Sequence, residues 1–324
     1  MRAIGGYLEL EQLINDEYHK NAIALNSARN AFVYIAKSQN ISKVYLPYYL
    51  CDSVYEVCKR ENINFEFYHI DKCFMPIFDK SLKENEYLYI VNYFGQIDDE
   101  KVRDFKNKYG NIIVDNVQAF FDRSIDGVYT IYSCRKFFGV PDGAYLSGVI
   151  EKLDIDTDKS KHRIKHLLGR FEDDDASGYY ADFLENDEMF ADLPLRYMSK
   201  LTHNILGAVN YIDVIRKRNA NWNVLHSALG EINKLNLITP NAPYMYPFYC
   251  NNASHIRKKL VENKIFIPTL WPNVMNFDKC ELEKDYTQNI LPLPVDQRYD
   301  AHDMRIIIEE IKNIIKDDNL CTNI

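Results

Sequence analysis

Glycine is scarce in this chain, at 12 of 324 residues. That is about half of the roughly 7% usual in proteins. Neither G-x-G-x-x-G nor G-x-x-x-x-G-K-[ST] occurs, so the Rossmann and P-loop signatures of nucleotide binding are missing. No apolar run approaches the ~18 residues of a membrane span. The opening MRAIGGYLELEQL has no apolar h-region, so secretion by a signal peptide is not expected. Basic charge is also lacking. The formal net charge is −8, which argues against nucleic acid as a partner. The seven cysteines are an odd number, without C-x-x-C or zinc-finger spacing. Free thiols in a reducing cytoplasm are the expectation, with no metal ligand set.

What is present is the composition of an ordinary folded protein, with 47% hydrophobic and 27% charged residues, which excludes a mainly disordered chain. The length exceeds what one core usually serves. Two domains are expected, a large one over 1–218 and a small α+β one over 219–324.

Strands and helices alternate along the first half. Residues 27–39 read as a helix with Ser27 as N-cap, followed by a strand at 43–46 and a helix over 50–61. A strand over 65–70, the buried run Tyr87–Val91, a helix over 98–108 and a strand at 111–114 come next. Strands at 128–132 and 143–149 complete the series. This order predicts an α/β fold of three αβα layers around a mainly parallel sheet. Its ligands belong at the carboxyl ends of the strands, where Asn92, Asp115 and Ser133 fall. The stretch 153–218 reads as charged and helical. Its His162 and His166 share a helix face at i, i+4, but a metal would need further ligands. Strands at 244–250 and 290–295 and helices at 254–263 and 302–315 form the C-terminal pattern, and the tail from Lys316 to Ile324 reads as frayed.

One constellation carries chemistry. Asp115 ends a buried strand in Val114-Asp115-Asn116-Val117-Gln118, and a buried carboxylate needs a cation. Ser133-Cys134-Arg135-Lys136 ends the next strand, and Pro141-Asp142-Gly143-Ala144 leads into another. Asp115 and Lys136 could be a plain salt bridge. They could also bracket a pyridoxal phosphate ring, with Lys136 as Schiff-base amine and Asp115 on the ring nitrogen, although spacing alone favours the salt bridge.

These segments resemble the DegT/DnrJ sugar-aminotransferase family, fold-type I pyridoxal-phosphate enzymes. That family carries E-D-x-A-Q, then S-F and a Lys, then G-E-G-G. Gly5-Gly6-Tyr7-Leu8-Glu9-Leu10-Glu11 is similar to its start, and Asn92-Tyr93-Phe94-Gly95 to its H-x-x-G strand end. Tyr246-Pro247-Phe248, Leu270-Trp271-Pro272 and Leu291-Pro292-Leu293-Pro294 resemble its C-terminal domain. The resemblance implies pyridoxal 5'-phosphate as cofactor, Lys136 as its anchor and proton carrier, and Asp115 on the pyridinium nitrogen. Gln118 would bond the phenolic oxygen. Ser133 and the helix start at Ser27, Ala28 and Arg29, where the family has Ser-Gly-Thr, would hold the phosphate. The segment Pro47 to Cys51 corresponds to the one covering the ring face, through Cys51, Tyr48 or Tyr49. Tyr48, Asn92, Tyr93 and Arg196 are substrate candidates.

The activity implied is amino transfer from an amino acid, glutamate by preference, to a keto-sugar, nucleotide-linked, in cell-surface polysaccharide synthesis. The protein would be a cytoplasmic homodimer. Two other readings stand beside it: an acceptor that is a small phosphorylated ketone, and a non-catalytic relative.

Overall fold

Short β-branched and aromatic runs form the sheet, and capped amphipathic segments form the helices. The computed structural model describes residues 6–13, 15–148, 151–173 and 177–321. In chain order the elements are β1 (Ile23–Leu25), α1 (Ala28–Ser38), β2 (Lys43–Pro47), α2 (Asp52–Arg60), β3 (Asn64–Ile70), β4 (Pro76–Ile77) and β5 (Glu86–Val91). Then come α3 (Asp99–Tyr109), β6 (Ile112–Asp115), β7 (Tyr129–Ser133), β8 (Ala144–Ser147), α4 (Lys165–Asp173), α5 (Tyr180–Met189), α6 (Lys200–Leu206) and α7 (Tyr211–Leu229). The chain continues with β9 (Met245–Tyr249), α8 (Ala253–Glu262), α9 (Glu281–Asn289), β10 (Ile290–Pro294) and α10 (Ala301–Cys321).

Eight strands make one sheet in the order β1-β8-β7-β6-β5-β2-β3-β4. The five from β7 to β3 run parallel, and β8 and β4 are antiparallel to their neighbours. β1 is antiparallel to β8, so it points the same way as β7. The carboxyl ends of β1, β7, β6, β5 and β2 therefore meet at one edge. The expected mainly parallel α/β sheet is present. The alternation of side chains sorts its two faces. Asp115 pairs with Ile131 and Ile113 with Tyr129, so Asp115, Ile131 and Ser133 share a face. Phe32 of α1 packs edge-on against Tyr89 on that same face, 5.7 Å between centroids. The opposite face carries Tyr132 and Tyr145, clustered with Phe120, Leu206 and Val214.

The middle of the chain is less helical than its composition suggests. The stretch before α4 is extended, and Thr157 bridges Tyr197, which in turn bridges Leu25. The N–H groups of Asn26 and Met198 bond the carbonyls of Arg196 and Ala24 across this edge. An extended segment satisfies the outer side of β1, which a helix could not. His162 consequently precedes α4 and shares no helix with His166. Val149 of the expected strand 143–149, Gly5 of the opening segment, Asp174 and Asp175 of the acidic run, and Thr322 to Ile324 of the tail lie outside the described residues.

A separate cluster joins Trp222, Leu225 and Leu229 of α7 to β9, β10, α8 and α10. The boundary expected at 218/219 falls inside α7, whose first turns pack on the sheet side through Val214. Arg218 sits at the crossing. It is 1% exposed and donates to Gln297 Oε1 at 2.8 Å and to the carbonyls of Pro243 at 2.8 Å and Phe137 at 3.3 Å. Its guanidinium lies 4.5 Å from the Phe137 ring centroid. Burial pulls its pKa down to about 10, so the charge persists at neutral pH. Arg218→Met removes the donor to Gln297 Oε1 and the Pro243 carbonyl, while the Phe137 carbonyl keeps the Gln297 amide at 2.8 Å. It should lower the stability measured by urea unfolding by about 3 kcal/mol.

Candidate active site

The strand-end edge gathers the polar side chains that the core excludes. Asp115, the last residue of β6, is 4% exposed. Its carboxylate accepts the Tyr89 hydroxyl at 2.8 Å and the Val117 N–H at 2.9 Å. Burial raises its pKa, and those two donors and the charge of Lys136 offset the shift only in part. Asp115 is thus short of positive charge, in electrostatic range of Lys136. Lys136 itself is exposed, with Nζ 5.6 Å from the Tyr244 ring centroid.

Gln118 is buried and its Oε1 accepts the Phe94 N–H at 2.8 Å. This bond orients the amide and leaves Nε2 as the donor end. Phe94 pays for it with a left-handed backbone, φ 54°, a conformation costly to a bulky residue. Ser27 caps α1, accepting the Asn30 N–H on Oγ at 3.1 Å. The first-turn N–H groups behind it form the positive end of the helix dipole. Ser133 is buried on the same sheet face.

Basic charge concentrates beside this helix start. The pKa of Arg135 is drawn down by burial, against the pull of Asp187, and by the charges of Arg29 and Arg163. Arg135 and Arg163 lie 4.1 and 5.6 Å from the Phe190 ring centroid. Arg135 pairs with Asp187 at 3.1 Å and Arg163 with Asp158 at 2.7 Å. At Asp158 burial pushes upward, but the Arg163 hydrogen bond and charge, with the Lys159 N–H and the Asn26 amide, outweigh it and hold the carboxyl below its usual range.

The remaining sequence candidates separate. Cys51 sits at the start of α2, with the Ser53 hydroxyl 3.1 Å from its sulfur, and is near enough to Tyr89 to bear on its ionisation. Tyr49 is fully buried among Tyr93, Trp271 and Tyr286. Tyr93 donates to the Tyr49 carbonyl at 2.6 Å. Tyr48 is half-buried, stacked on Phe67 and tilted against His69. The Asn92 amide is taken up by Ile97, Asn116 and Asp122, so it braces the strand end. Arg196 stands 3.7 Å from Asp158.

Two features were not read from the sequence. Tyr89 looked like core within YLYIV; its place two residues from Val91, the partner of Asp115 in the ladder, was the available signal. Asp142 is fully buried and accepts from the Ser199 N–H at 3.0 Å and hydroxyl at 2.8 Å, and from the Thr202 hydroxyl. It fastens the start of α6 to the turn before β8. In that turn Gly143 has φ +119°, and a Cβ there would meet Thr202 Cγ2 at 3.0 Å and Cys134 Cβ at 3.1 Å. No sequence signal linked Asp142 to Ser199.

Solved structures show the same architecture. NtdA from Bacillus subtilis, with bound cofactor PMP, superposes with TM-score 0.63 at 12% identity, over 91% of this chain and 73% of that one. A DegT DnrJ EryC1 StrS aminotransferase from Brucella abortus gives 0.62 at 13%, over 90% and 85%. Sugar aminotransferase CalS13 from Micromonospora echinospora gives 0.59 at 12%, over 91% and 87%. No family model matches the chain, and no curated protein does. At these identities the likeness establishes the fold, the one the sequence predicted. No described helix is long and apolar enough to cross a membrane.

The Asn92 brace carries a pH signature. Burial pushes Asp122 up to about 7 from an ordinary 3.8, against the Asn92 hydrogen bond. As pH rises from about 4, the unfolded chain loses this proton first while the fold retains it. Stability therefore falls with pH up to about 7 and then levels. Asp122→Asn keeps the acceptor for Asn92 and removes that slope. Urea titrations between pH 4 and 7 should show the variant gaining on wild type as pH rises.

Proposed function

We propose that the chain is a pyridoxal-phosphate-dependent aminotransferase acting on a keto-sugar. The observation that carries this reading is the buried Asp115, in electrostatic range of Lys136, on the sheet face that Ser133 shares and α1 packs against. The likeness of fold to solved sugar aminotransferases supports it. The residues fit the cofactor's chemistry. Asp115 is a buried acceptor that a protonated ring nitrogen would neutralise, and Gln118 holds an oriented donor for a ring oxygen. Ser27, Ala28, Arg29 and Ser133 offer N–H, hydroxyl and positive charge to a phosphate.

Bound there, pyridoxal phosphate supplies an electron sink for the carbanion formed when the amino donor loses its Cα proton. The chain supplies the rest. Asp115 keeps a proton on the ring nitrogen, and the Tyr89 hydroxyl keeps Asp115 oriented. Lys136 Nζ would anchor the cofactor, take up the proton that leaves the donor's Cα, and in the second half-reaction return a proton to the acceptor carbon. The expected donor is glutamate and the expected acceptor is nucleotide-linked, in polysaccharide synthesis. A cytoplasmic homodimer belongs to the same reading. The cluster of Arg29, Arg135 and Arg163 also suits a phosphorylated small ketone, the second acceptor class.

The purified protein given pyridoxal phosphate should show a band near the edge of the visible, and glutamate should bleach it. Lys136→Ala should abolish the band and lower turnover by roughly 10³-fold or more. Asp115→Asn should retain cofactor uptake but lower turnover by roughly 10²-fold. A Lys136→Ala protein with band and turnover intact would refute the reading. Pyridoxamine-loaded protein offered keto-sugars and small phosphorylated ketones separates the two acceptors.

A further inference from the structure

His69 on β3 meets the start of α9 far from Asp115 in the chain. Its Nδ1 lies 2.9 Å from Glu283 Oε1. The Ile70 N–H reaches the same oxygen at 3.2 Å. Glu283 is 1% exposed, and among the described residues its ion-pair partner is His69. Cys280, also 1% exposed, is the residue capping α9. One ligating atom from each of His69, Cys280 and Glu283 lies within 4.8 Å of the other two.

A plain His–Glu hydrogen bond explains two of the three groups. The thiol donates to the Asp278 carbonyl at 3.2 Å, a bond that uses its proton and leaves the sulfur lone pairs free beside the other two groups. Cys280 and Glu283 are spaced i, i+3, so they project from one face of the first turn. Ligands around a tetrahedral Zn²⁺ stand roughly 3.3–3.8 Å apart. Side-chain adjustments of about 1 Å would bring this trio to that spacing. Sulfur, imidazole nitrogen and carboxylate oxygen together select a borderline-soft cation over Mg²⁺ or Ca²⁺. The His69 side chain is 43% exposed, which gives an ion a route in.

We propose that His69, Cys280 and Glu283 form a binding site for a thiophilic divalent cation, Zn²⁺ by its donor chemistry, with water as fourth ligand. Cys280 binds as thiolate and its proton leaves to solvent. The ion would staple β3 to α9, adding coordinate bonds to the His69–Glu283 pair and the packing that join them. It would also set the ring of His69, against which Tyr48 is tilted at 4.7 Å.

The test uses Co²⁺ as a spectroscopic probe on the full chain, freed of metal by chelator dialysis. Wild type should take up one equivalent, with a sulfur-to-cobalt charge-transfer band and intense tetrahedral visible bands that Zn²⁺ then displaces. Zn²⁺ should raise the wild-type Tm by a few degrees. Cys280→Ser and His69→Gln, each checked for folding by circular dichroism, should lose the charge-transfer band and the tetrahedral bands respectively, and both should lose the Tm shift. Cys73→Ser should keep all three signals. Wild type without tetrahedral cobalt bands, or a charge-transfer band surviving in Cys280→Ser, would overturn the proposal. The readout does not involve amino transfer, so its failure leaves the proposed activity standing.

Discussion

A carboxylate held out of water at the end of a buried strand is the constraint around which this edge of the sheet is organised. Asp115 cannot move away, because its backbone carbonyl accepts the Asn92 N–H and the next residue continues the ladder to β7. Its environment must therefore supply donors. Tyr89 and the Val117 N–H supply two, and Lys136 supplies charge at longer range. The cost left over is what the proposed cofactor's protonated ring nitrogen would offset. The neighbouring carboxylates solve the same problem differently. Asp158 holds two arginines in range, while Asp142 collects hydroxyl and N–H donors. Carboxylates with similar burial thus end as fastener, ion-pair centre and, in the proposed reading, cofactor acceptor according to what surrounds them.

The sheet was legible because its signal is local. Runs such as Tyr87–Val91 and Asn111–Val114 report burial on both faces, and Ser27 and Asp98 mark helix starts through their own side chains. Asp115, Gln118, Ser133 and Lys136 were legible because strand ends place them in a known order. What escaped depends on partners remote in sequence. β1 is three residues long and is held by β8 and by the stretch around Tyr197. The extended segment before α4 reads as charged and helical until that edge is seen to need cover. Tyr48 and Tyr49 are adjacent and alike in sequence. Yet one is packed out of reach of water and the other is half-buried, and only the placement of Trp271 and Phe277 decides which.

Scarce glycine has a clear reading in the fold. The phosphate site proposed at the α1 start would need backbone N–H groups, a cap and positive charge, none of which requires a flexible loop. Where a glycine is required, as at Gly143, it is retained for the close approach of α6. Ala144, one residue on, is an ordinary strand position paired with Ser133 and Leu25.

Helix α7 belongs to both hydrophobic clusters, its first half packed toward the sheet and its second half buried with β9 and β10. A nineteen-residue rod shared in this way leaves no seam in the covalent chain. The C-terminal part is not a module that gene fusion or recombination can exchange cleanly. A transplant beginning after residue 218 would cut the rod beside its buried arginine and leave each half without the side chains that complete its core.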